Sequence, residues 1–151
     1  MKKVAYIGLF LTPSSSMFLK TEIPTGVIGW TEYCHHVTLW HKANKRPLTL
    51  SEEEIRNLPW GQSFIFASKK TYSDDKAIAF SGIVLPLKVP VLDEHQRLHI
   101  TGACAPGVSP VYSNELVANR ANRTGDCPSR AVVGTLGWCS GGPSWSPTSP
   151  I

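Results

Sequence analysis

Two short histidine–threonine motifs are the residues of this sequence best suited to chemistry. Residues 36–38 (HVT) and 99–101 (HIT) each place a histidine two positions before a threonine. Side chains two positions apart in a strand lie on the same face, so each motif presents an imidazole beside a hydroxyl. With five histidines and eleven threonines in 151 residues, random placement gives less than one such motif. The pair therefore predicts one site built from two distant parts of the chain.

Cleavage of a phosphodiester without a metal is the chemistry that these residue types fit. One group must take a proton from the attacking oxygen while another gives a proton to the leaving oxygen. His36 and His99 can share these duties near neutral pH, in an order that the sequence leaves open. The hydroxyls of Thr38 and Thr101 can bond the non-bridging phosphate oxygens, where negative charge develops.

Both motifs resemble those of the two-histidine phosphoesterase superfamily, which is defined by paired H-x-T or H-x-S motifs. Residues 35–42 (HHVTLWHK) are similar to the first motif in the cyclic phosphodiesterase domain of plant and fungal tRNA ligases, with Trp40 replacing a smaller residue. Residues 99–117 (HITGACAPGVSPVYSNELV) are similar to its second motif, a strand followed by a Gly-Val-x-Pro loop and a Ser-Asn-x-Leu helix start. The resemblance covers roughly residues 4–116, the central segment only in outline.

The resemblance implies a compact bilobed α+β fold, with antiparallel sheets around a central cleft and a few short helices. It implies that His36 and His99 are catalytic and that Thr38 and Thr101 bind phosphate. Family members are commonly longer, and fifty residues follow Thr101 here. The second lobe is therefore expected to be reduced.

The expected activity is hydrolysis of 2',3'-cyclic phosphates on nucleotides or RNA ends, or of related 2'-linked phosphodiesters, without a metal or other cofactor. Two alternatives stay open. One is a viral or phage-type enzyme that degrades cyclic dinucleotides or 2'-5' oligoadenylate, and the other is a catalytically silent RNA-binding module. In each case the partner is a nucleotide or RNA, and the protein is expected to be a monomer of the cytoplasm, or of the host cytoplasm if viral, without a membrane partner.

Four further side chains are candidates for substrate binding. Tyr6, Trp40 and Tyr112 can stack a nucleobase, with core packing as the competing role. Phe10 is assigned to packing. Lys42, in a basic turn, can attract a polyanion, although charged turns are usually only solvated.

Hydrophobic patterning predicts the elements that position these residues. Strands are predicted at residues 4–11, 34–42, 63–70, 77–85 and 97–103, with a weak strand at 131–138, and short helices at 14–20, 51–58 and 113–120. Strict alternation puts Trp40 on the face of His36, and puts His35 and His41 on the other face. Hairpin-type strands with few helices indicate an α+β domain independently of the resemblance.

Length and composition bound the class of protein. A chain of 151 residues with 42% hydrophobic residues predicts one domain at 1–139, followed by a loose Gly/Ser/Pro-rich tail at 140–151. A net charge of +4 favours polyanionic partners.

Four widely spaced cysteines without a C-x-x-C pair predict free thiols in a reducing compartment. The apolar start lacks a cleavage site and predicts a buried strand rather than a signal peptide, and no stretch approaches the ~18 apolar residues of a membrane span.

Three other interpretations of the sequence compete with a phosphoesterase site. His36 and His99 can be core histidines bonded to backbone carbonyls, an interpretation that a second motif makes less favourable. Residues 137–142 (GWCSGG) resemble the nucleophile loop of chymotrypsin-like proteases, but only nine residues follow, too few for such a double barrel. A mixed metal site of residues 34–36 with Cys104 has no recognised spacing.

Overall fold

A computed structural model describes residues 3–85, 92–93 and 97–151, with the backbone alone at residues 25 and 126–129. Its strands are β1 (Tyr6–Leu11), β2 (Thr31–Glu32), β3 (His36–His41), β4 (Ser63–Ser73), β5 (Ala77–Leu85), β6 (His99–Cys104), β7 (Arg123–Cys139) and β8 (Trp145–Ser146). Its helices are α1 (Pro13–Lys20), α2 (Glu52–Arg56) and α3 (Ser113–Ala118). The described chain is thus dominated by strands with a few short helices, which confirms the α+β class.

Six of these strands form a closed antiparallel barrel in the order β1-β3-β6-β5-β4-β7, and β7 pairs with β1 to complete the circle. The short strand β2 extends the pairing of β6, and β8 pairs with the end of β7. Closure satisfies the backbone groups that an open sheet would leave at its edges. Strands β3 and β6, which carry the two motifs, are neighbours in this order.

The barrel wall separates two apolar layers, as strand alternation requires. In β5, Ile78 and Phe80 belong to the large cluster that fills the interior, whereas Ala77 and Ala79 belong to a smaller cluster that packs under α3. Val37 and Ile100, the central residues of the motifs, are completely buried in the large cluster. Their neighbours on either side therefore face outward from the barrel.

Strand β7 begins at Arg123, although the polar sequence before residue 131 predicts no strand there. Its first half pairs with the end of β4, where Lys70 lies opposite Asp126 and Thr71 opposite Gly125. Backbone pairing along both strands offsets the lack of an apolar pattern, because one face of an antiparallel strand can stay in water. Patterning therefore detects only the half of β7 that crosses the core.

Residues 140–151 pack against the barrel instead of forming the loose tail that composition predicts. The Trp145 ring stacks on Phe10 with centroids 4.5 Å apart and planes 3° apart. The Trp138 indole N–H donates to the Thr148 carbonyl at 2.8 Å. These contacts hold residues 145–148 against the barrel, and the Gly/Pro turn before them lies next to the start of β1, where a Cβ on Gly141 would be 3.8 Å from the Ala5 Cβ.

Local signals at the other elements match the structure. A reciprocal capping box joins Ser51 and Glu54 and begins α2, as the sequence spacing predicts. The predicted β4–β5 hairpin is present, and the Asp74 carboxylate accepts from the amides of Lys76 and Ala77 in its turn. Both features need only neighbouring residues, which is why the sequence is sufficient to place them.

The cysteines and the apolar character of the helices are two features that composition addresses. Cys34, Cys104 and Cys139 are buried free thiols, whereas the side chain of Cys127 lies outside the described part of the chain. None of the helices in residues 3–85, 92–93 and 97–151 has the length and apolar character needed to cross a membrane.

Candidate functional site

The structure brings the two motifs to one cavity. Val37 of β3 lies opposite Ile100 of β6 in the antiparallel register, and both point into the barrel. The flanking side chains of each motif then share the outer face and line a cavity of about 540 Å³; they are His36, Thr38, His99 and Thr101. Two segments far apart in sequence are therefore joined by a single strand pairing.

A backbone irregularity places a second histidine beside His36. The Cys34 amide donates to the Thr101 carbonyl at 2.9 Å, while Val37, three residues on, already lies opposite Ile100. The two intervening residues are extra, and Cys34 adopts a left-handed conformation with φ 47°. As a result His35 also lines the cavity, and the prediction that it points away is wrong.

A bulge at Leu39 reverses the alternation later in the same strand. Ile7 pairs with Trp40 and its neighbour Gly8 pairs with Thr38, so Leu39 has no partner in β1. Beyond this point Trp40 turns into the core, 7% exposed, and its indole donates to the Arg46 carbonyl.

Because of this bulge, two predictions that assumed strict alternation are wrong. Trp40 is absent from the lining of the cavity, so its assignment as a base-stacking residue is wrong. His41, expected on the opposite face, lines the cavity together with His36.

His36 sits among aromatic rings and other imidazoles. Its Nδ1 lies 3.0 Å from Nδ1 of His35, so one ring donates and the other accepts. The ring of Tyr6 stacks on it with centroids 4.7 Å apart. Burial, and next the charges of neighbouring histidines, lower the pKa of His36 to about 3. His36 is therefore a neutral imidazole at pH 7.

His99 is held at both ring nitrogens. Its Nδ1 lies 2.6 Å from the Arg97 carbonyl, and its Nε2 lies 3.0 Å from the hydroxyl of Ser113. The same hydroxyl is 2.7 Å from that of Thr101. Burial lowers the pKa of His99, while the bond to Arg97 acts in the opposite direction. The carbonyl bond expected of a core histidine is thus present, but this ring also lines the cavity.

Three other residues were predicted to bind substrate, and one of them lines the cavity. Tyr6 lines the cavity, and burial followed by its bond to Cys139 raises its pKa. Tyr112 donates a hydrogen bond to Asp74 and is not part of the lining. That bond is the main reason that the pKa of Tyr112 rises to about 12. Lys42 is exposed in the turn after β3 and is also outside the lining.

Several walls of the cavity were not identified by the sequence analysis. They are Tyr33, Pro110, Val111, Ser113, Asn114, Gly141, Gly142 and Pro143. The Ser-Asn-x-Leu helix start was a usable signal for Ser113, because it directly follows the second motif. The composition of residues 140–143 indicated only a tail and contained no signal. In the structure the Cys139 thiol bonds the Gly142 carbonyl at 3.1 Å and accepts from the Gly141 amide, which fixes this wall.

Chemically, the cavity offers imidazoles that exchange protons and hydroxyls that bond anionic oxygens. Across the part of the chain that is described, no three or more His, Cys, Asp or Glu side chains are grouped to hold a metal ion. His36, Thr38, His99 and Thr101 all line the same cavity. This arrangement can place a proton acceptor and a proton donor around one bound group.

Comparison with known proteins gives a fold relationship alone. No family model and no curated protein matches the chain. Among solved structures, the crystal structure of a fungal RNA kinase is similar, with a TM-score of 0.53 and 15% sequence identity. The similarity covers 89% of this chain and 42% of the kinase chain, so this chain spans less than half of that protein.

Proposed function

We propose that this protein hydrolyses phosphodiesters of nucleotides, with 2',3'-cyclic phosphates on mononucleotides or RNA ends as the preferred class, by acid/base catalysis from two histidines. The observation that carries the proposal is the convergence of both motifs on one cavity. Two isolated core histidines would have no reason to share a cavity with the threonine of each motif. The cavity volume of about 540 Å³ is in the range of small-molecule sites.

In the proposed reaction, a water oxygen bonds to phosphorus while the bond from phosphorus to one ribose oxygen breaks. One of His36 and His99 takes the proton of the water, and the other gives a proton to the departing ribose oxygen. The hydroxyls of Thr38 and Thr101 bond the non-bridging oxygens as their charge increases. A phosphate monoester leaves, and the two rings regain their starting states by proton exchange with water.

Two lines support nucleotides as the substrate class. The motifs resemble those of the two-histidine phosphoesterases. We include in this proposal the bilobed arrangement around a cleft that this resemblance implies. The protein of similar fold is a kinase of RNA, which favours RNA and nucleotides over other phosphodiesters. Cyclic dinucleotides and 2'-5' oligoadenylate remain the alternative substrates within the same chemistry.

Turnover of a substrate panel tests the proposal. The panel contains 2',3'-cyclic mononucleotides, RNA ending in a cyclic phosphate, 2'-5' oligoadenylate and cyclic dinucleotides. We expect cleavage of the cyclic phosphates, unchanged by EDTA, and a loss of about 10² to 10⁴-fold in rate for His36→Ala and for His99→Ala. Thr49→Ala, an exposed change beyond β3, is the matched control and should keep full activity.

Each other result has a defined meaning. Full turnover in both histidine variants would refute the mechanism. Cleavage of the oligonucleotides alone would assign the alternative substrate class. Salt-sensitive RNA binding without any product would identify the chain as a binding module and refute the enzymatic proposal.

A further inference from the structure

Ser113 joins the two functional side chains of the second motif, although it lies outside that motif. It is the first residue of α3 and is 1% exposed. Its hydroxyl oxygen lies 3.0 Å from His99 Nε2, 2.7 Å from Thr101 Oγ1 and 2.7 Å from the Pro110 carbonyl oxygen. A buried hydroxyl with three partners constrains where the hydrogens of the network can be.

Two partners in this network are carbonyl oxygens, which can only accept hydrogen bonds. They therefore determine which neighbouring atoms must carry a hydrogen. Arg97 O lies 2.6 Å from His99 Nδ1, so Nδ1 carries a hydrogen whether the ring is neutral or charged. In the neutral ring Nε2 then has no hydrogen and must accept one from Ser113. The single hydroxyl hydrogen of Ser113 cannot serve both Nε2 and the Pro110 carbonyl.

Protonation of His99 completes the network. Nε2–H then donates to the Ser113 oxygen, the Ser113 hydroxyl donates to Pro110, and the Thr101 hydroxyl donates to Ser113 as long as no phosphate oxygen takes its hydrogen. Every contact has one donor and one acceptor, and the bond from the charged ring is of the stronger, charge-assisted kind. The network therefore favours the charged form of the ring and opposes burial, which lowers the pKa of His99.

The surroundings of His36 favour the opposite state. Its Nδ1 contacts another imidazole, His35, and its ring is stacked against Tyr6. The titratable side chains that share the cavity with both catalytic rings are Tyr6, Tyr33, His35 and His41, and none of them is an acid that would stabilise a charge on His36 at neutral pH. When His36 donates from Nδ1 to His35, its Nε2 is bare and available as a base.

We propose that Ser113 is a positioning residue that keeps the proton on His99 Nε2, so that His99 is the general acid and His36 the general base. This inference rests on the proposed function. During the reaction His36 Nε2 takes the water proton. The His99 Nε2 proton leaves its hydrogen bond with Ser113 and goes to the ribose oxygen as the bond from that oxygen to phosphorus breaks. The Ser113 hydroxyl then turns its hydrogen from the Pro110 carbonyl to the neutral Nε2 of His99.

The experiment compares Ser113→Ala with wild type by NMR titration of the His99 ring and by the pH dependence of kcat. Loss of the acceptor should lower the pKa of His99 and move the high-pH limb of the rate profile to lower pH, because that limb reports the acid. The low-pH limb, which reports the base, should stay in place. We expect kcat to fall about tenfold or more at neutral pH, with KM within twofold of wild type.

Two further variants make the result specific. Ser113→Cys keeps the volume but supplies a weaker acceptor, and should shift both readouts in the same direction. Ser109→Ala removes a hydroxyl from the same loop that bonds the Val111 amide instead of His99, and should leave the His99 titration unchanged.

An unchanged His99 titration in Ser113→Ala would overturn the inference. A shift of the low-pH limb would also overturn it, since it would assign His99 as the base. If wild type cleaves nothing in the panel, the proposed function fails, while the NMR titration still decides whether Ser113 holds the proton.

Discussion

At the scale of single residues, three imidazoles around one cavity, those of His35, His36 and His41, make the protein sensitive to acid. Burial is the main cause that lowers the pKa of each, for His36 to about 3. The folded state therefore binds fewer protons than the unfolded chain below the ordinary histidine pKa of about 6.5. The stability that these neutral rings contribute is complete above pH ~6.5 and is lost as pH falls toward the folded-state values.

We predict that the free energy of unfolding decreases as pH falls from about 6.5, with up to ~1.4 kcal/mol per pH unit for each additional proton bound on unfolding. Urea denaturation between pH 7.5 and 4 measures this slope. His36→Asn removes one of the protons and should flatten the curve. Equal slopes for wild type and this variant would show that His36 titrates normally in the folded protein.

The threonine hydroxyls of the motifs give a second prediction at this scale. Thr38→Val and Thr101→Val keep the shape of the side chain but remove the donor to phosphate oxygen. We expect kcat for the cyclic phosphate to fall by about 10²-fold in each, the typical effect of losing one donor to a developing charge. Steady-state kinetics measures it, with Thr49→Val as the exposed control. Activity within threefold of wild type would remove that threonine from the phosphate site.

The sequence predicts the histidines and threonines of the site but not all of their neighbours. Placing the histidine and threonine of a motif on one face requires only that side chains alternate regularly over three residues. The pairing of β3 with β6 preserves this alternation. His35, Trp40 and His41 are placed by two irregularities, at residues 34–36 and at Leu39. Such bulges depend on how a strand fits its partners, so a single strand's pattern contains no sign of them.

At the scale of elements, β8 holds the Gly/Pro wall of the cavity through its fit against β7. Gly137 is the residue that permits this fit, because a Cβ there would lie 2.5 Å from the Ser146 carbonyl oxygen and 2.6 Å from the Trp145 ring. Neither the backbone nor a stacked indole can yield without moving β8. The same contact explains why residues 140–151 are ordered despite their composition.

We therefore predict that Gly137→Ala displaces β8. Protease cleavage within residues 140–151 should become at least tenfold faster, and overpacking should reduce stability by about 1 to 3 kcal/mol. Gly125→Ala, in the same strand but with no atom within 4 Å of the added Cβ, is the control. Equal cleavage rates for the two variants would show that β8 does not depend on this contact.

At the scale of the whole molecule, the barrel separates the group of residues that supports the fold from the group that lines the cavity. The interior is filled from every barrel strand, and Phe66 of β4, 1% exposed, is among its largest side chains. The cavity lies on the outer side of β3 and β6, and Phe66 does not line it. Stability and activity should therefore respond to different substitutions.

Phe66→Ala and Phe18→Ala make the same chemical change at two depths. Phe66 is buried in the barrel, whereas Phe18 of α1 is 41% exposed and carries the Arg130 guanidinium over its ring. We expect Phe66→Ala to lower the free energy of unfolding by about 3 to 5 kcal/mol, because it removes apolar contacts and leaves a cavity. Phe18→Ala should cost about 1 kcal/mol or less. Urea denaturation at pH 7.5 compares them, and equal losses would mean that the barrel interior is not the main source of stability. Below its unfolding transition, Phe66→Ala should keep the kcat of wild type, since the strand pairing that joins the two motifs is intact.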